Sequence, residues 1–185
     1  MRKIFLAIRI PIDPLSEVMI KELHRNFNFM DVRWIEPKYL HMTLKFFGPT
    51  NEKRIHKISE SLQELFNDQK SIELTIRKLA MFGSRGAPKV LWLGINEESQ
   101  MKDFAKSIQE NLDKIGLYAD RQNFVPHISL GRIIKTNSSS FFQKQMKKYK
   151  IIELSSLMIN EIVLLESIIT NKGVDYKLIS SFKLG

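Results

Sequence analysis

Two short runs share one pattern: His41-Met42-Thr43-Leu44 and, past the middle of the chain, His127-Ile128-Ser129-Leu130. Each reads His, apolar, hydroxyl, Leu, and together they hold half of the four histidines in 185 residues. In a chain of ordinary composition such a recurrence arises by chance roughly once in several thousand cases. Residues i and i+2 of an extended strand share a face. His41 should therefore stand beside Thr43 and His127 beside Ser129, while Met42, Leu44, Ile128 and Leu130 turn toward a core. A pair of imidazoles suits displacement at phosphorus, because a neutral one can take a proton from water while a protonated one supplies the departing oxygen. In-line displacement puts those two groups on opposite sides of the phosphorus. Thr43 and Ser129 could then donate to the nonbridging oxygens, an interaction whose loss typically costs about 10²–10³ in rate. This chemistry asks for no metal and no cofactor, and none is expected.

The elements that must position these groups can be read along the chain. Lys3 to Arg9 predicts a strand, Pro11 and Pro14 a turn, and Leu15 to Phe27 an amphipathic helix with Val18, Ile20, Leu23 and Phe27 near one stripe. Val32 to Ile35 and Leu40 to Phe47 predict strands closed by Gly48-Pro49, followed by a helix that Thr50 or Asn51 caps and that carries Ile55, Ile58, Leu62, Leu65 and Phe66. Ser71 to Leu79 and Lys89 to Ile95 predict strands around a loop from Phe82 to Pro88, and a third helix runs from Asn96-Glu97-Glu98 to near Gly116. The second motif strand follows Pro126, and the polar run Thr136 to Ser140 turns into a short basic helix. Ile151 to Met158, Glu161 to Ile169 and Tyr176 to Leu184 predict closing strands, with Asn171-Lys172-Gly173 as a hairpin turn. Each motif is thus a strand followed by a turn and a helix, and the two lie about half the chain apart. That is the mark of a degenerate duplication, two lobes facing one cleft.

Composition narrows the function classes. The 43% hydrophobic content is that of a globular chain, and no apolar run approaches the ~20 residues of a membrane span. The start, Met1 to Arg9, becomes charged again too soon for a signal-peptide core, so a cytoplasmic protein is expected. With no cysteine, disulfides, thiolate zinc sites and thiol nucleophiles are excluded. Lys and Arg number 29 against 20 Asp and Glu, a formal charge of +9 that favours polyanions, RNA among them.

With these residues the chain resembles the 2H phosphoesterases, a family named for two His-x-Thr/Ser-x motifs, and within it the RNA 2′,3′-cyclic phosphodiesterases, also called 2′-5′ RNA ligases. The likeness extends to Arg33-Trp34 followed by Pro37, Leu40, His41, Thr43, Leu44, Phe47 and Gly48, then Val90 to Gly94, then Pro126 through Leu130 and Arg132. It implies an α+β, bilobal fold over residues 1–185: two antiparallel sheets related by a pseudo-two-fold, helices outside, and a central groove holding both histidines. It implies His41 as proton donor, His127 as proton acceptor, and Arg132 as a phosphate contact beside Thr43 and Ser129. Arg132 lies an odd number of residues from His127 and would face away in an unbroken strand; Gly131 could supply a bulge. The implied activity is metal-independent opening of a terminal RNA 2′,3′-cyclic phosphate to a 2′-phosphate by a monomer, with 2′-5′ ligation as its reverse.

Two other readings share parts of this pattern. A small cyclic nucleotide or a 2′-5′ oligonucleotide could occupy the same constellation, and an RNA-binding protein without catalysis would explain the charge while leaving the duplicated motif unexplained. His24 and His56 fall among charged neighbours on helices and read as surface or packing residues. Trp34, Trp92, Phe47 and Phe124 are candidates for base stacking, Phe124 foremost, and Arg85 for an RNA contact.

Overall fold

The computed structural model describes residues 1–84, 87–117, 123–136, 138–152, 156–171 and 173–185. The first strand, β1 (Arg2–Arg9), is apolar on both faces: Ile4, Leu6 and Ile8 enter the main core, while Phe5 and Ala7 enter a smaller cluster on the opposite side. A strand buried twice over must be central. It lies between β3 (His41–Thr50) and β8 (Glu161–Thr170), and β9 (Gly173–Lys183) completes a sheet of order β3-β1-β8-β9. The second sheet runs β2-β6-β5-β4-β7, from β2 (Met30–Trp34), β6 (Ile128–Thr136), β5 (Ala87–Ile95), β4 (Ile72–Ser84) and β7 (Ser156–Ile159). Every pairing is antiparallel.

The duplication read from the motifs reappears in the topology. With the edge strand β2 set aside, the order β3-β1-β8-β9 corresponds to β6-β5-β4-β7. Helix α1 (Pro14–Asn26) follows β1 and α2 (Glu52–Phe66) follows β3, as α3 (Glu98–Asp113) follows β5 and α4 (Ser139–Lys148) follows β6. Three of these helix starts are satisfied locally: Asp13 accepts from the backbone N–H groups of Leu15 and Ser16, Asn51 from that of Arg54, and Ser138 from that of Phe141. Ile20, Leu23, Ile58, Leu62, Ile108, Leu112 and Phe142 carry the helices onto the same core that Leu6, Leu74 and Leu93 enter from the sheets. One face of each sheet is thereby covered and the other is left for a groove. Among the described residues no helix is long and apolar enough to cross a membrane.

Several expected boundaries move. Val18 is 59% exposed instead of lying on the buried stripe. Gly48-Pro49 does not close its strand; β3 runs on to Thr50, with a register irregularity opposite Ile4/Phe5 and Gly48 at φ +69 absorbing the change. The loop expected at Phe82 to Pro88 is mostly strand, since β4 continues to Ser84 and β5 begins at Ala87; pairing with a neighbour outweighs local glycine. Arg85 lies outside the described residues, and so do the middle of the expected Ile151 to Met158 strand and Lys172 of the hairpin turn.

Candidate active site

His41 opens β3, and His127 stands one residue before β6. His41 follows a short 3-10 turn, Pro37–Tyr39, and His127 an irregular approach, yet one backbone contact is made twice. The Nδ1 of His41 lies 2.7 Å from the carbonyl of Tyr39, and the Nδ1 of His127 lies 2.7 Å from the carbonyl of Val125. A carbonyl can only accept, so each Nδ1 carries hydrogen and each neutral ring keeps Nε2 free as acceptor. Sequence reasoning could not find these partners, because a main-chain oxygen two residues upstream has no side-chain signature.

Aromatic rings complete each cradle. Phe5 and Tyr176 meet the His41 ring at centroid distances of 5.1 Å, Tyr176 edge-on. Phe82 meets His127 at 4.8 Å and Trp92 meets it at 5.9 Å, both edge-on. Tyr176 reaches His41 from β9 although two strands lie between β9 and β3 in sheet order, as a strongly curled sheet allows. Phe5, Ala7, Val163 and Leu165 fill the inside of that curl. Burial there pushes the His41 imidazole toward its neutral form; the Tyr39 carbonyl opposes this, and the nearness of His127 adds to it. That influence of His127 on His41 is the electrostatic sign of two imidazoles near one groove.

The hydroxyls and the arginine follow from register. Thr43 is paired with Ala7 on β1, and Ser129 with Trp92 on β5, so each hydroxyl shares the groove face with its histidine. Between Ser129 and Gly131 the pairing with β5 skips a residue: Trp92 faces Ser129 while Leu91 faces Gly131. This bulge re-phases β6, so that Leu130 and Ile133 are both buried while Arg132 is exposed on the face of Ser129. The odd spacing between His127 and Arg132 is thereby resolved. At the same residue Gly131 lets β2 lie close on the other side, since a Cβ there would fall 2.8 Å from Val32 Cγ1 and 3.1 Å from the Arg33 carbonyl.

Of the other sequence candidates, Trp92 is the buried ring already placed against His127, beside Phe82. Trp34 lies tilted against His24 at a centroid distance of 4.1 Å and packs on the core, as Phe47 and Phe124 also do. Phe46, by contrast, is 71% exposed beside Phe5. His56 lies on the exposed side of α2 against Glu60. Among the described residues no three His, Asp or Glu side chains converge as metal ligands do.

This arrangement can pass protons to and from a phosphorus centre held between the motifs, and the chain resembles known proteins at two levels, sequence and fold. A model of the 2′-5′ RNA ligase superfamily matches residues 14–167. An RNA 2′,3′-cyclic phosphodiesterase of Aquifex aeolicus is 30% identical over 155 residues, 83% of this chain and 82% of the relative. One of Archaeoglobus fulgidus is 28% identical over 175 residues, covering 95% and 96%. Among solved structures, TT0787 of Thermus thermophilus superposes with a TM-score of 0.80 at 18% identity, over 98% of this chain and 97% of that one. E. coli LigT in apo form gives 0.75 at 18% identity, over 99% and 97%, a likeness of fold.

Proposed function

The chain belongs to the 2′-5′ RNA ligase superfamily, and from that premise we propose that it is an RNA 2′,3′-cyclic phosphodiesterase that opens the terminal ring to a 2′-phosphate. The observation that carries this reading is the matched pair of histidines, each locked by Nδ1 to a carbonyl and offering Nε2 to the same groove. His127 Nε2 takes a proton from the attacking water as the water oxygen bonds to phosphorus. The P–O3′ bond breaks, and protonated His41 gives its Nε2 proton to O3′. Thr43 and Ser129 donate to the nonbridging oxygens, and Arg132 offsets their charge. With an RNA 5′-hydroxyl in place of the water, the same groups join it to the cyclic phosphate: its oxygen bonds to phosphorus as its proton passes to His127, the P–O3′ bond breaks, O3′ takes the proton of His41, and a 2′-5′ linkage results.

The whole of residues 1–185 acts as one unit in this reading, since each motif lobe supplies one histidine. RNA is its partner, with no cofactor, and the working form is a cytoplasmic monomer. The +9 charge supports the choice of partner. The test is incubation in EDTA with an oligoribonucleotide ending in a 2′,3′-cyclic phosphate, followed by identification of the product. Conversion to the 2′-phosphate is expected; no hydrolysis, or a 3′-phosphate, overturns the proposal.

A further inference from the structure

Arg33 on β2 is directly opposite Arg132 on β6. Cross-strand partners share a face, and two like charges in that position destabilise a sheet. Both side chains point away from the core, because Val32, Trp34 and Ile133 between and beside them are the residues that pack against it. Among the described residues neither guanidinium has an ion-pair partner; the nearest acid along β2, Asp31, faces Lys135. The pairing is also enforced, because Gly131 lets β2 approach so closely that a methyl group there would strike Val32 and the Arg33 backbone. Two guanidiniums that the fold holds side by side, exposed and without an acid between them, make a favourable seat for an anion.

The row that contains this pair ends at the catalytic groove. Arg132 is paired with Val90, Val90 with Phe82, and the Phe82 ring touches His127. Arg132 shares β6 with Ser129 and serves the reacting phosphate, while Arg33 stands one strand spacing, about 4.8 Å, farther along. We propose that Arg33 binds the next phosphodiester of the RNA chain and thereby sets the preference for a polynucleotide end over a cyclic mononucleotide. A cyclic mononucleotide has no second phosphate, so Arg33 has nothing to grip in it. This rests on the phosphodiesterase reading above and names its substrate class.

The experiment compares kcat/KM for a short oligoribonucleotide 2′,3′-cyclic phosphate and a 2′,3′-cyclic mononucleotide, in the native protein, Arg33→Gln and Arg33→Lys. At low salt Arg33→Gln should lower the oligonucleotide-to-mononucleotide ratio about tenfold, and make the salt dependence of the oligonucleotide reaction shallower by about 0.7 in log–log slope, the share of one single-strand phosphate contact. Arg33→Lys should retain most of the ratio. A second arm measures binding of the same oligoribonucleotide in a His127→Ala background, with and without Arg33→Gln. Equal loss on both substrates, or no change in ratio and binding, overturns the proposal. So does a Tm of Arg33→Gln below the native value at low salt, because removing one of two repelling charges should leave the free protein no less stable. If the native protein hydrolyses neither substrate, the phosphodiesterase reading fails, and the binding arm still decides whether Arg33 grips RNA.

Discussion

Burial holds the His41 imidazole toward neutrality, yet the proposed step asks it to deliver a proton. A bound phosphodiester supplies the missing charge, since an anion within a few ångströms favours the imidazolium. In the free protein the protonated fraction of His41 falls as pH rises through its lowered pKa, so this group governs the alkaline side of the kcat/KM profile. The limbs belong to the pair acting together, since the His41 imidazole feels the charge of His127. Tyr176→Ser opens the cradle to water and raises the His41 pKa toward its ordinary value, so the alkaline limb should move to higher pH. Were His41 the base instead, the same substitution would move the acid limb upward and cost activity at low pH. Profiles of kcat/KM beside an NMR titration of His41 separate the two assignments. The shift also bears on stability: between the lowered folded pKa and about 6.5 the unfolded chain binds more protons, so folding weakens as pH falls through that window. His24, buried against Trp34, is shifted the same way for the same reason.

The elements supply geometry that no residue type announces. The end of the β8–β9 hairpin is tied to the turn before β3: the Tyr39 hydroxyl donates to Asp175 Oδ1 at 2.8 Å, and the Tyr176 backbone N–H donates to the same oxygen. Tyr39 is also the residue whose carbonyl holds His41, so the hairpin steadies the imidazole through the main chain. Asp175→Ala should lower kcat by several-fold with KM little changed, and Asp175→Asn, which keeps the acceptor, should restore most of it; equal defects in both variants would sink this reading. The bulge at Leu130-Gly131 is the second such device. Gly131→Ala should cost ~1–3 kcal/mol through overpacking against β2, and should weaken phosphate binding by displacing Arg132, which denaturant melts and inhibition by inorganic phosphate would measure. The motif strands, the capped helices and the side of the chain that enters the core were legible because each rests on a local period or cap. Strand limits at Gly48 and Ser84 were not, because a paired neighbour overrides local turn chemistry. Phe46 escaped notice beside Phe47, since only the irregularities in β3 decide which of two adjacent phenylalanines turns outward.

At the scale of the molecule, the pseudo-two-fold brings two motifs far apart in sequence to one groove. The repeated tetrapeptide made both histidines legible, but their aromatic surroundings differ and the sequence pattern does not show it. Phe5 and Tyr176 come from β1 and β9, Phe82 and Trp92 from β4 and β5, and the first set desolvates its histidine. Repeated backbone contacts with unlike surroundings are what an acid and a base built from one duplicated motif require. The two lobes should then behave as a single catalytic unit. His41→Ala and His127→Ala should each lower kcat at least ~100-fold, the scale of a lost general acid or base, with RNA affinity nearly unchanged. Because either loss leaves only half of one concerted proton transfer, the double variant should fall little below the slower single variant, far from the product of the two losses. Thr43→Val and Ser129→Ala act on separate nonbridging oxygens, so their effects should combine much more nearly additively. A double-mutant cycle on kcat for both pairs makes the comparison. Multiplicative losses for the histidines would mean that they do not serve the same bond-breaking step, whatever the symmetry of the fold.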